Sequence, residues 1–350
     1  MENQESFPMT GGDGPTSYAR NSNRQKEAAE HVLSILVESV IENLEIEPTS
    51  KTFRIADLGC STGPNTFSAV RTIIEAVTQK RKMAGSNSTL KSEFQVYFAD
   101  HASNDFNMLF SSLPSDREYF ACGVPGSFHG RLFPTASLNF VNCFSALHWL
   151  STTPKDLGNL DSLAFNKGRI FYYNAPDEVG QAYAAQFAKD IQSFLAARAQ
   201  ELAPGGLMSI IIPGRQDGTT FKEGSLGPLF QPLESCLLDM AIAGKIEKDK
   251  IDLFNLPIYS PSVEELGALI RDNGCFTIAR LEASPTEPLA LLTANECRSG
   301  LESIITKHFG SEIIGELFKR YDEKIKAQSL IGRGGLGAAL FILLQRKLSS

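Results

Sequence analysis

Apolar positions recur at helical spacing early in the chain. Ala29, Val32, Leu33, Leu36, Val37, Val40 and Ile41 fall on one side of a helix predicted over 27–46. Before it, residues 1–24 carry Gly11, Gly12, Gly14, Pro15 and many small polar residues, and predict an arm. A short apolar run over 53–57, stopped by Gly59, predicts a strand and a tight turn. A helix over 64–81, a polar linker over 82–92 and a strand over 94–98 ending at Asp100 follow. Apolar runs over 138–143, 169–173, 207–212, 276–281 and 338–345 predict further strands, and 178–202 a long helix. Strands alternating with helices predict an α/β fold with a mostly parallel sheet covered on both faces.

The stretches 215–270 and 290–333 are mainly helical in pattern and lie between the last strands. They are expected to form a cap over a substrate pocket. Pro213-Gly214, Gly224 and Gly227-Pro228 mark its entrance near 214. The expected organisation is an arm and helix over 1–48 that close the site, a core over 49–214, the cap, and last core strands within 271–289 and 334–350.

Composition narrows the function. With 350 residues, 42% of them hydrophobic, the chain can bury a full core, and general disorder is excluded. Its 33 basic and 40 acidic residues leave a net charge of −7. That balance argues against a nucleic-acid face or a polybasic membrane patch. Six cysteines stand at irregular spacing without a C-x-x-C pair, which predicts free or buried thiols and not a zinc site. Met1-Glu-Asn-Gln-Glu5 has no signal-peptide character, and the apolar stretch over 338–344 is too short to span a bilayer. A soluble cytoplasmic protein is expected.

The turn Asp57-Leu-Gly59-Cys60-Ser61-Thr62-Gly63-Pro64-Asn65 joins a strand to a helix. Its glycines allow close approach of a ligand, and the helix start favours a carboxylate. The spacing is G-x-x-x-G, with an acid two residues earlier. That acid disfavours a diphosphate and suits an ammonium. S-adenosylmethionine carries an ammonium, a carboxylate and a sulfonium. A plain strand–turn–helix junction would leave the same trace. Asp100 ends the next strand, where an acid accepts from ribose hydroxyls. Leu202-Ala-Pro204-Gly205-Gly206 resembles the L-x-P-G-G turn of class I S-adenosylmethionine-dependent methyltransferases. Together these signs favour a methyl donor over a nicotinamide.

Further blocks extend that likeness along the chain. Ser17-Tyr18, Asn21-Ser22 and Gln25 fit an S-Y-x-x-N-S-x-x-Q arm; Ala56 to Thr66 fits the loop above; Asn104-Asp105-Phe106-Asn107, Val124 to Phe128, Leu147-His148-Trp149-Leu-Ser151 and Phe254 to Tyr259 fit later blocks. The combination resembles the plant SABATH methyltransferases (named for salicylic acid, benzoic acid and theobromine), and most the branch acting on farnesoic and loganic acids. The resemblance implies a Rossmann-like seven-stranded sheet with a helical cap. It implies that Tyr18, Ser22, Asp57, Cys60 and Asn65 hold the methionine end of the cofactor. Asp100 would take the ribose, with His101 beside it, and Ser127 and Phe128 the adenine. Gln25 and Trp149 would grip the substrate carboxylate, and Tyr18, Ser145, His148 and Tyr259 would line its pocket. Asn166, Asp252, Asn255 and the Phe254 carbonyl are the positions at which some relatives bind Mg²⁺. A homodimer is a further family habit.

The chemistry implied is O-methylation of a small plant acid, releasing S-adenosylhomocysteine. A carboxylate is already ionised at neutral pH and needs no general base. Alternatives are N-methylation of a xanthine-type purine, for which His148 would be the base, and a silent carboxylate-binding homologue. Two departures bear on the substrate. Ser145 stands where relatives carry an aromatic, and His101 replaces an apolar residue next to Asp100.

Overall fold

The computed structural model describes residues 7–45, 51–84, 93–223, 226–286, 290–328 and 337–348. Met1 to Glu5, most of the polar linker, Gly224 and the stretch 329–336 lie outside them. Four-residue α1 (Tyr18–Asn21) leads into α2 (Asn23–Asn43). Then come β1 (Thr52–Leu58), α3 (Pro64–Met83), β2 (Glu93–Asp100), α4 (Phe106–Ser111), β3 (Phe120–Pro125), β4 (Leu138–Phe144), α5 (Asp177–Glu201) and β5 (Leu202–Gly214). Helices α6 (Gly227–Ile242), α7 (Lys248–Asp252) and α8 (Val263–Asn273) precede β6 (Phe276–Thr286). Helices α9 (Ala294–Phe309) and α10 (Ile314–Gln328) precede β7 (Gly337–Arg346).

The sheet order is β3-β2-β1-β4-β5-β7-β6. β7 runs antiparallel to both its neighbours, and β1 to β5 are parallel. Alternate residues of each inner strand serve opposite faces. Phe53 and Ile55 join the core formed with α2 and α3, through Leu36, Val40, Val70 and Ile73. Ala56 and Leu58 join the core formed with α5, α6 and α9, through Phe187, Phe194, Leu233 and Leu301. Covering on both faces explains why the central strands read as unbroken apolar runs.

Two expectations fail, and they offset one another in the strand count. Residues 169–173 form no strand. Ile170, Phe171 and Tyr172 are buried, but their backbone is held by side chains and a loop. The Ile170 N–H donates to Glu234 at 2.9 Å, and Asn166 donates to the Phe171 carbonyl at 3.2 Å. The Leu256 N–H donates to the Ile170 carbonyl at 2.8 Å. The seventh strand is instead β3, which pairs only with β2, from Gln95↔Phe120 to Asp100↔Pro125. An edge strand tolerates Gly123 and Pro125, and with most of it exposed it carries no apolar alternation. All six cysteines are unpaired thiols. Among the described residues no helix is long and apolar enough to cross a membrane.

Candidate active site

The chain leaves β1 towards β2 on one side, and the sheet continues from β1 to β4 on the other. A crevice at the C-terminal ends of the strands follows from that reversal. At the end of β1, Gly59 has φ +78° and its N–H donates to the Ala99 carbonyl at 2.8 Å. A Cβ there would stand 2.3 Å from the Ala146 Cβ, so only glycine fits. Ser61 also takes a left-handed φ of 50°, and its N–H donates to Asp100 Oδ2 at 2.7 Å. Asp100 Oδ1 accepts from the His101 N–H at 2.7 Å. One carboxylate therefore ties the β1 and β2 loops together. Burial raises the Asp100 carboxyl above its ordinary range, while these two N–H groups act the other way.

Asp57 lies deeper. It accepts from the Thr66 hydroxyl and, at 2.6 Å, from Asn142, whose oxygen accepts from Ser209 at 2.8 Å. Burial pushes its pKa up to about 6, against the pull of those hydrogen bonds. Asn65 donates to both the carbonyl and the hydroxyl of Ser22 at 3.0 Å, which docks the N-terminal arm on this loop.

The β3 loop presents Ser127, Phe128 and His129. The Phe128 ring meets His129 at 4.7 Å and stands edge-on to Phe194 at 6.2 Å. After β4, Ser145 turns the chain with φ 53°, its N–H bonded to the Ile211 carbonyl at 2.7 Å. The turn then delivers His148 and Trp149. Trp149 is bridged to Ile258, and its ring lies 6.1 Å from His148 and 6.4 Å from Phe7. Ser151 anchors the end of this turn by donating from N–H and hydroxyl to Asp190 at 2.8 and 2.6 Å. Burial lowers the His148 pKa to about 4, so the ring is neutral at pH 7.

The arm crosses over these loops. Thr10 donates to the Ser299 carbonyl at 2.9 Å, and Gly12 to Asp105 at 3.0 Å. Arg24 pairs with Glu296 at 3.0 Å and donates to the Leu291 carbonyl at 2.8 Å. The other oxygen of Glu296 caps α9 by accepting from the Thr293 N–H at 2.7 Å. Beneath the arm lies a cavity of 290 Å³, joined to a smaller one of 50 Å³. Tyr18, Gln25, Gly59, Ser61 and Ser145 border both chambers.

Most of the residues expected from the sequence meet here. Asp100, His101, Ser127, Phe128, His148 and Trp149 line the larger chamber, and Asp57, Cys60 and Asn65 the smaller. Ser22 stands behind Asn65 and holds it. Tyr259 is placed differently from its expectation as a pocket wall. It is fully buried behind the wall, with its hydroxyl donating to Glu265 at 2.9 Å. Ile258 lines the chamber instead, because successive residues of an extended segment point opposite ways. The pocket also contains residues that the motifs missed. His129 follows Phe128 directly, and Arg24 precedes Gln25, so adjacency was their only signal. Leu226 and Leu229 at the start of α6 and Leu301 of α9 carry the ordinary spacing of a helix face.

The four positions expected for Mg²⁺ lie away from both chambers. Asn166 donates to Asn255 at 2.6 Å, and Asp252 accepts from the Gly168 N–H at 2.7 Å. The Asn166 side-chain Oδ1 and the Asn255 Nδ2 are buried without partners. A neutral amide oxygen left without a donor is the kind of ligand a hard cation takes. Among the described residues no three His, Cys, Asp or Glu side chains group to hold a metal, so neutral oxygens would supply most of the ligands.

A seven-stranded sheet of this order with β7 reversed, and a crevice above β1 and β4, defines a class I S-adenosylmethionine-dependent methyltransferase. The crevice fits the cofactor. The Ser61 hydroxyl is buried without a partner, Gly59 borders both chambers, and Asp57 lines the smaller one. The family described as SAM dependent carboxyl methyltransferase matches residues 4–347, and the chain belongs to it. Loganic acid O-methyltransferase of Catharanthus roseus is 43% identical over 98% of this chain and 95% of its own length. Farnesoic acid carboxyl-O-methyltransferase of Arabidopsis thaliana is 38% identical over 97% of this chain and 99% of its own. A solved loganic acid methyltransferase with S-adenosylhomocysteine superposes with a TM-score of 0.91 at 43% identity, covering 98% of this chain and 99% of that one.

Proposed function

We propose that this chain methylates the carboxylate of a small plant acid with a largely apolar skeleton, and that Gln25 and Trp149 present that carboxylate. One observation carries the reading: Gln25 and Trp149 line the same chamber as Gly59, Asp100 and Phe128. When bound, S-adenosylmethionine supplies a methyl group on a positively charged sulfur. The carboxylate oxygen forms the new bond to carbon as the carbon–sulfur bond breaks, and the two charges cancel without release of a proton. The chain therefore has to align and to exclude water. Ser127 and Phe128 hold the adenine in this reading, Asp100 the ribose, and Tyr18, Ser22, Asp57, Cys60 and Asn65 the methionine end.

The Gln25 oxygen is buried without a partner, which supports its amide nitrogen as the donor facing the chamber. Arg24 is paired with Glu296. The carboxylate is then met by neutral donors, which orient it without overstabilising the ground state. His148 acts as a wall. Its lowered pKa makes it a weak base, which supports carboxyl over purine methylation. Leu226, Leu229, Ile258 and Leu301 line the outer part of the chamber and support an apolar skeleton. Mg²⁺ at Asn166, Asp252, Asn255 and the Phe254 carbonyl would brace the 166–172 turn and take no part in the chemistry.

The test is a panel of plant acids with labelled methyl donor. Gln25→Ala and Trp149→Ala should each lower kcat/KM for the acid by about a hundredfold while S-adenosylhomocysteine still binds in calorimetry. Intact carboxyl transfer in both variants would sink the assigned grip.

A further inference from the structure

Helix α5 packs an apolar face against the sheet, yet Arg198 and Glu201 near its end are fully buried. A buried ion pair seldom adds net stability by itself, so its neighbours are informative. The two side chains pair at 2.6 Å. The guanidinium also donates from Nη1 to the Phe128 carbonyl at 2.6 Å and from Nη2 to the Gly130 carbonyl at 2.9 Å. Glu201 Oε1 accepts from the N–H groups of Leu132 and Phe133 at 2.5 and 3.0 Å. The stretch 126–133 is neither helix nor strand, and these backbone groups find their partners on the two side chains. The same guanidinium stacks over the Phe194 ring at 5.2 Å, and that ring supports the edge contact with Phe128.

We propose that the Arg198–Glu201 pair is a positioning device that sets the 126–133 loop and thereby the affinity for the cofactor. The proposal rests on the reading of Ser127 and Phe128 as the adenine subsite. Neither charged side chain lines the cavity, so both act through the loop. Arginine is suited to this place because one planar fork reaches a carboxylate and two carbonyls together; a lysine ammonium does not reproduce that geometry. A loop held in its binding shape spares the ordering cost on association.

The test compares Arg198→Lys, Glu201→Gln and Phe128→Ala with the parent enzyme. The readouts are KM for S-adenosylmethionine, KM for the acid, kcat at saturating donor, and S-adenosylhomocysteine affinity by calorimetry. Arg198→Lys should raise the donor KM and weaken product binding about tenfold, with kcat and the acid KM within about twofold. Glu201→Gln keeps an oxygen for Leu132 and Phe133 but sets an NH2 against the guanidinium where Oε2 accepted, and should give an effect of the same kind of about tenfold. A merely structural pair would lower the amount of active enzyme, and so kcat, with the donor KM unmoved; that result overturns the proposal. If Arg198→Lys does not fold, the same split in the isosteric Glu201→Gln decides. If Phe128→Ala weakens product binding and the two pair variants do not, the positioning role alone fails. If Phe128→Ala binds product like the parent, the adenine reading fails with it.

Discussion

The two sides of the crevice are held by different kinds of bond. The side proposed for the cofactor comes from consecutive strand ends, and its links run between sheet neighbours: Gly59 to Ala99, Ser61 to Asp100, Gly126 to Asp100. The side proposed for the acid is assembled from the arm, the turn after β4, α6 and α9. Its links, Thr10 to Ser299 and Arg24 to Glu296, join opposite ends of the chain and lie near the surface. Sheet register fixes the first side wherever the sheet forms. The second depends on a few partly solvated contacts that can loosen without disturbing the sheet. Cofactor affinity should therefore survive loss of the Arg24 and Thr10 contacts to the α9 region, and acid affinity should not.

The sharpest break is Gly59→Ala. It combines a left-handed φ with a Cβ overlapping Ala146, an expected cost of about 3 kcal/mol. Product affinity measured by calorimetry should fall roughly a hundredfold. Unchanged binding would mean that the β1 loop is not a rigid cradle. A second test uses pH. Burial holds Asp57 at about 6 in the free protein, and an ammonium beside it favours the ionised form. Product affinity should be level between about pH 7 and 8 and fall about fivefold from pH 6 to 5. A profile in Asp57→Asn that keeps this drop would assign it to another group.

Smaller effects belong to the arm. Arg24→Ala should raise the acid KM about threefold and leave product affinity unchanged. Equal losses in both would erase the distinction between the two sides. His148 makes folding stability, like the product affinity tied to Asp57, fall as pH falls. Its folded pKa of about 4 lies below the ordinary 6.5, so the unfolded chain takes up the proton first as pH falls. Its contribution is full above about pH 6.5 and is lost towards pH 4. His148→Phe should flatten that part of the melting curve against pH. The least effect is expected from EDTA, which should lower the melting temperature by about 2 °C if a weakly held cation braces the 166–172 turn.

Legibility followed the same division. Residues 57–65 and Asp100 were readable because a strand end, a glycine turn and a helix start occupy consecutive positions. β3 was not readable, because an exposed edge strand has no alternation to show. The run over 169–173 imitated a strand because side chains buried in a loop are as apolar as those in a sheet. Tyr259 carried the right motif and the wrong orientation, since one residue of shift in extended chain reverses the face. Arg198 and Glu201 gave no sign of burial, because charge at the end of a helix is usually solvated.

The order of amino acids by itself determined the alternation of strands and helices, the glycine turn after β1 and the arm motif that carries Gln25. These are local properties, set by backbone freedom and by the spacing of apolar side chains. Only the tertiary structure decided which helix faces line the larger chamber, that Ile258 and not Tyr259 meets the cavity, and that a buried ion pair bonds to the Phe128 loop. Those outcomes depend on segments distant in sequence packing against one another, and no short stretch of chain carries the energy of that packing.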